Sequence, residues 1–258
     1  MPEEKPGTPS IARVYDAMLD GKDNFAADRD VFQRLAAVYP SLPAAVGRHR
    51  AFLERAVTWV SDQGISQFID LGVGMPTPPL THEIARRERP GAHVAYVDFD
   101  PVVTLHFRAR VAKGDERITV IDADVRDHAA TLAAAASGIH LSEPVCLVMG
   151  ALLHFLDPGA ARALVSAYAA AVTPGSYVIA DAGHGDGEAA DRFFGLYSAE
   201  VTPLYNHSWD EFRGFLNPLE LVPPGVTEPH AWLPGRPDAL PPTPPGQAQF
   251  MVGVGRVP

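Results

Sequence analysis

A chain of 258 residues, 47% of them hydrophobic, has apolar mass for one large α/β domain or at most two small ones, and we read residues 1–258 as one. A formal charge of -10, with no long basic cluster, lacks the electrostatic footprint of a nucleic-acid or anionic-membrane binder. The opening MPEEKPGTPS has no basic stretch leading into an apolar one, and no run of about 18 apolar residues occurs, so a soluble, cytoplasmic protein is expected.

The single cysteine, Cys146, lies in the apolar run EPVCLVMG, so it can form no internal disulfide and reads as a core residue. A large excess of arginine over lysine, with many alanines, suggests a GC-rich bacterial source.

The first 64 residues read as helical. Ile11, Val14, Tyr15, Met18 and Leu19 share one helix face, with Ser10 as N-cap and Gly21 as stop. A second helix should begin near Ala26 and a third should cover about Ala44 to Gln63.

From residue 65 the pattern alternates. Strands are expected at QFIDLG, HVAYVDFD, ITVIDADV, VCLVMG, SYVIADAG and AQFMVGVGRV, with helices at LTHEIARRER, VTLHFRARVAKG, AATLAAAA and GAARALVSAYAAAV. Such alternation means βαβ units and a mostly parallel, doubly wound, Rossmann-like sheet covered on both faces. Later, NHSWDEFRGFL carries a capping box, Ser208 with Glu211, that starts a short helix. The proline-rich stretch from Pro223 to Pro245 reads as a surface loop between two late strands, with a short strand near TEPHAW.

The segment FIDLGVGMPTPPL joins the first strand to its helix. Gly72 and Gly74 suit a ligand cradle, one glycine for a positive φ and the other for close approach of the ligand to the backbone. A pyrophosphate would need free N–H groups at the helix start. Pro76, Pro78 and Pro79 have none, although Thr77 and Pro78 make a reasonable N-cap and first helical residue. Asp70, two residues before Gly72, would repel a diphosphate and attract an ammonium or sulfonium.

Two further acids end the next strands. Asp98 lies about 20 to 25 residues past the glycines, the offset at which an acid takes both ribose hydroxyls. Asp124 can accept from the exocyclic amine of an adenine, and the N–H of Val125 can donate to the ring nitrogen beside it. Three acids behind a phosphate-hostile loop describe an adenosine site with a cationic tail, which fits S-adenosylmethionine.

In order and spacing, FIDLGVG, YVDFDP, DADVRD, GALLHFL and VTPGSYVIAD resemble the strand-end motifs of class I S-adenosylmethionine-dependent methyltransferases. More narrowly, PSIARVYDAMLDGKDNFAADR and LELVPPGVTEPHAWLP resemble the ends of an actinobacterial methyltransferase-like family whose members mostly lack an assigned substrate. The resemblance implies a seven-stranded sheet with its last strand antiparallel, S-adenosylmethionine as cofactor, and Phe99 and Gly150 beside it. It also favours reading the N-terminal segment as a lid over the cleft, with Tyr15, Asn24 or Phe25 touching the ligand. One departure is that Met75 and Pro76 stand where the wider class often has a third glycine or small residue.

Methyl transfer from a sulfonium needs mainly positioning and removal of the acceptor's proton. His154, after the fourth strand, is the first candidate base, and His184, in a glycine-rich loop expected to be mobile, is the second. Tyr197, Tyr205 and His207 form a further group. HGDGEAAD reads as a solvated loop rather than a metal site, and the GxSxG elbow of α/β-hydrolases is absent.

The expected function is methylation of a small-molecule acceptor. The alternatives are a non-catalytic S-adenosylmethionine-binding or regulatory protein and a nicotinamide-dependent reductase.

Overall fold

The computed structural model describes residues 7–232 and 249–258. Seven strands form one sheet: β1 (Gln67–Leu71), β2 (His93–Asp98), β3 (Ile118–Asp122), β4 (Cys146–Met149), β5 (Tyr177–His184), β6 (Glu220–Leu221) and β7 (Gln249–Arg256), in the order β3-β2-β1-β4-β5-β7-β6. β1 to β5 pair in parallel, whereas β7 runs antiparallel to both β5 and β6. The near-continuous burial of β2, β4 and β5 is what parallel strands covered on both faces require.

Alternate residues of β1 feed different cores. Phe68 packs with Phe52 and Val57 of α3 (Leu42–Asp62), Ile84 of α4 (Thr81–Glu88) and Val103 of α5 (Pro101–His106), which continues as a π-helical turn over Phe107–Val111. Ile69 belongs to the opposite core, with Leu132 of α6 (His128–Ala135), Leu164 of α7 (Pro158–Ala171) and Phe212 of α9 (Trp209–Phe215). Because β1 has β2 on one side and β4 on the other, the strand order reverses there, and a cleft opens beyond the carboxyl ends of those strands.

A third cluster holds the N-terminal segment. Val14 of α1 (Ile11–Met18) and Val31 and Leu35 of α2 (Ala26–Val38) pack against Phe193, Phe194 and Tyr197 of α8 (Glu188–Glu200). The helix α8 corrects the sequence reading, which took this region for a solvated loop. Gly183 and His184 belong to β5 and are not part of a mobile loop, and Gly187, at φ +81°, is the N-cap of α8.

Other boundaries also differ. α4 begins at Thr81 and not at Pro78, with Leu80 as N-cap and its N–H donating to Glu83 Oε2. β3 stops at Asp122, which leaves Asp124 and Val125 in the loop beyond it. The sixth strand lies at Glu220–Leu221, while TEPHAW holds a single bridge, Thr227 to Val252, and a 3-10 turn over Pro229–Ala231. The rest of the proline-rich loop, residues 233–248, lies outside the described residues.

Ser10 caps α1 as expected, its hydroxyl accepting from Arg13 N at 3.3 Å. The following turn is built on the buried Asp16, whose carboxylate accepts from Asp23 N at 2.9 Å and Asn24 Nδ2 at 2.8 Å. A Cβ at Gly21 would fall 2.1 Å from Asp16 Oδ1, so the glycine is required by close approach and not by its dihedrals. Gly21→Ala should displace that carboxylate and cost about 2 kcal/mol, read as a lower denaturant midpoint.

Candidate functional site

A cavity of about 1260 Å³, counted with its open mouth, lies beyond β1, β4 and β5 under the N-terminal helices. Gly72, Gly74 and Gly150 form part of its wall, together with Asp70 and Arg50.

The glycine loop uses its amides internally. Gly72 N and Val73 N both donate to Val97 O, at 2.8 and 3.2 Å, and Gly74 N donates to Asp98 Oδ2 at 2.9 Å. Gly72 has φ +70° and Gly74 φ +63°, so both glycines take the positive φ that the sequence reading gave to one. A Cβ at Gly72 would approach Leu152 to 3.0 Å and crowd the space over the loop. Arg50 of α3 donates to Thr77 O and Pro79 O, both at 2.7 Å, and so holds the proline segment in place.

Asp70 accepts from Thr81 Oγ1 at 2.6 Å. Burial pushes its carboxyl up to about 6, against the opposing pull of Thr81 and Arg50. Asp98, at the end of β2 and 6% exposed, accepts from Gly74 N and, at 2.9 Å, from Asp100 N. Burial also raises its carboxyl above the ordinary range. Asp98 therefore ties the loop to β2 while leaving lone pairs for a ligand.

Neither Asp98 nor the other adenosine candidates, Phe99, Asp124 and Val125, line the cavity. Phe99 is 66% exposed. β2 and β3 pair Asp98 with Asp122, so Phe99, Asp124 and Val125 follow at the same end of the sheet. Asp124 is held by its own Arg126, whose Nε lies 2.9 Å from both carboxyl oxygens and keeps the carboxyl below its usual range.

Of the N-terminal candidates, Tyr15 lines the cavity. Asn24 is engaged by Asp16 and by Gly21 O, and the Phe25 ring lies under the Arg13 guanidinium at 5.0 Å; neither lines the cavity. His154 does line it, accepting at Nδ1 from Gly183 N at 3.2 Å. Because an amide can only donate, the ring proton sits on Nε2, and burial lowers the ring to about 4. His154 is therefore a neutral donor. His184 points away, its Nδ1 bonded to His207 O at 2.7 Å and its Nε2 3.5 Å from Asp186.

One buried array was not foreseen in the sequence reading, which named only its Tyr15. Tyr15 OH lies 2.9 Å from His49 Nδ1, and His49 Nε2 lies 2.8 Å from Asp181 Oδ2. Asp181 also accepts from Ala151 N, at 2.9 and 3.1 Å. Phe250 of β7 stacks on the His49 ring at 4.3 Å. His49 stands in register with Leu42, Ala45, Val46, Phe52 and Leu53 on the buried face of α3, a polar break in an apolar stripe.

A seven-stranded sheet with a reversed last strand, behind a loop that offers carboxylates in place of free amides, defines an S-adenosylmethionine-type methyltransferase fold. The chain belongs to the S-adenosyl methyltransferase family, whose model matches residues 5–258.

Among solved structures, a Thermobifida fusca YX protein, itself named only as a candidate methyltransferase, is 36% identical with a TM-score of 0.90, covering 97% of this chain and 96% of its own. A DUF574 family protein from Streptomyces avermitilis MA-4680 is 32% identical, also at 0.90, covering 97% and 98%. A Burkholderia thailandensis 1,6-didemethyltoxoflavin-N1-methyltransferase, solved with S-adenosylhomocysteine, shares the fold at 14% identity and a TM-score of 0.50, over 79% of this chain and 77% of its own. No curated protein matches the chain. Among the described residues no helix is long and apolar enough to cross a membrane.

Proposed function

We propose that residues 1–258 act as one methyltransferase unit that binds S-adenosylmethionine and methylates a small molecule. The observation that carries this reading is the chain of carboxylates at successive strand ends, with Asp98 bonded to Gly74 of the loop. Asp98 takes the ribose hydroxyls, Asp124 and Val125 the adenine edge, and Phe99 an adenine face. Asp70 and the cradle of Gly72, Gly74 and Gly150 face the methionine end, where Asp70 meets the ammonium.

When bound, the cofactor supplies an electrophilic methyl group on a cationic sulfur. The chain's own part is to orient it, exclude water and hold the acceptor. The N-terminal segment covers the cleft through Tyr15, while Asn24 and Phe25 serve it from the turn by fixing α1 against α2. His154, carrying its proton on Nε2, acts as a donor in the cavity wall, and His184 stands behind that wall. An acidic surface and an apolar cavity favour an uncharged metabolite over nucleic acid as the acceptor.

Calorimetric titration with S-adenosylmethionine, S-adenosylhomocysteine and NAD tests the reading. Micromolar binding of the first two and none of NAD is expected; the reverse preference would establish a reductase. The binding should also depend on pH. A cationic ligand favours the ionised form of Asp70, so affinity is full above about pH 6 to 7 and falls as protons fill the carboxylate below it. Between pH 7 and pH 5 the loss should be roughly tenfold, and Asp70→Asn should flatten it.

A further inference from the structure

The cavity wall carries a hydrogen-bonded array whose polar atoms the proposed cofactor contacts do not use. It runs from Tyr15 on α1 to His49 on α3 and Asp181 on β5, so three elements far apart in sequence converge on one line. Asp181 is fully buried, and its carboxylate accepts from Ala151 N beside Gly150, at the end of β4. A carboxylate can only accept, so His49 carries its proton on Nε2 and presents Nδ1 as acceptor to the Tyr15 hydroxyl. Among the described residues the Tyr15 oxygen has no other hydrogen-bond partner.

We infer that Tyr15, His49 and Asp181 form a proton relay that activates a phenolic hydroxyl acceptor, with Tyr15 as the catalytic residue and the other two as positioning residues. The inference rests on the methyltransferase reading. The class of acceptor follows from the walls. Beyond Tyr15 the cavity is lined by Phe155, Phe193, Phe194, Tyr197, Leu204 and Phe250, which suit a flat aromatic molecule. The charged groups of the lining, Asp70 and Arg50, stand on the glycine-loop side, so this half of the cavity offers a charged acceptor no partner.

The step balances within these groups. The acceptor's O–H proton passes to the Tyr15 oxygen as the Tyr15 proton passes to His49 Nδ1. The freed oxygen pair forms the bond to the methyl carbon while the carbon–sulfur bond breaks, its electron pair staying on a now neutral thioether. Imidazolium beside the Asp181 carboxylate is left, and it returns its proton to solvent once the methyl ether departs. Tyr15 ends unchanged. Burial raises its hydroxyl well above the ordinary tyrosine range, so it serves as a conduit and not as a resting phenolate.

Two readouts test this on the full chain, with Tyr15→Phe and His49→Gln beside the wild type. First, 4-nitrophenol is titrated into the S-adenosylhomocysteine complex and the visible phenolate band recorded at a pH where the free phenol is mostly protonated. The wild type should show the band on binding, and both variants should bind S-adenosylhomocysteine within about threefold of wild type without showing it.

Second, labelled methyl transfer is measured to 1-naphthol and to the far more acidic 4-nitrophenol. The variants should lose about 10²- to 10⁴-fold on 1-naphthol, the range of general-base catalysis, and under tenfold on 4-nitrophenol. Equal losses on both phenols, a band unchanged in Tyr15→Phe, or transfer to neither phenol by a wild type that binds S-adenosylhomocysteine would overturn the relay. A wild type that does not bind S-adenosylhomocysteine would instead overturn the underlying reading.

Discussion

Asp98→Asn is expected to weaken S-adenosylhomocysteine binding about 100-fold in a calorimetric titration. Each carboxylate oxygen already accepts one backbone N–H, Oδ2 from Gly74 and Oδ1 from Asp100, and each keeps a lone pair for a ribose hydroxyl. The amide puts an NH₂ against one of those donors. That both removes an acceptor for the ribose and releases the loop or the turn that Asp98 fastens. Charge-assisted hydrogen bonds are worth about 1.5 to 3 kcal/mol each, and about 3 kcal/mol is two decades of affinity. Asp124→Asn should cost far less, because that carboxylate is solvated and already neutralised by Arg126.

The second large effect concerns stability. Asp28 of α2 is fully buried, and its carboxylate accepts from Ser10 N at 3.1 Å, Arg13 Nε at 2.9 Å and Phe25 N at 2.8 Å. These contacts bind the start of α1, its first turn and the start of α2 into one unit. Asp28→Ala takes a fully buried carboxylate away from three donors at once, which costs about 3 to 5 kcal/mol, or roughly 10 °C in Tm for a chain of this size. The loss should fall first on the N-terminal segment, seen as faster amide exchange in α1 and α2 than in β1. Uniform destabilisation of the sheet would contradict that hierarchy.

The sheet was legible because β1, β2, β4, β5 and β7 are near-continuous apolar runs between turn signals. Asp70, Gly72, Gly74 and Asp98 could be named on local spacing alone, since each lies within a few residues of a strand end. The relay could not: His49 and Asp181 are 132 residues apart, and nothing in either neighbourhood points to the other. The available signals were a histidine on the buried stripe of α3 and an aspartate inside the apolar run YVIADAG.

The helix α8 escaped for a different reason. The glycines around His184 suggested a loop, whereas Gly183 and His184 are absorbed by β5, and Gly187 takes the positive φ of an N-cap. Ala190, Phe193, Phe194 and Tyr197 carry the 3.6-residue period that places α8 under α2. The start of α4 shifted because Arg50 fixes the carbonyls of Thr77 and Pro79 in the loop, a contact between distant segments that local capping preferences cannot foresee.

The most direct test is a crystal structure with S-adenosylhomocysteine bound. The account predicts both ribose hydroxyls on Asp98, the adenine edge at Asp124 and Val125, and the amino group at Asp70, with the sulfur facing the cavity lined by Tyr15. Adenosine bound away from Asp98, or a ligand whose sulfur points out of that cavity, would contradict it.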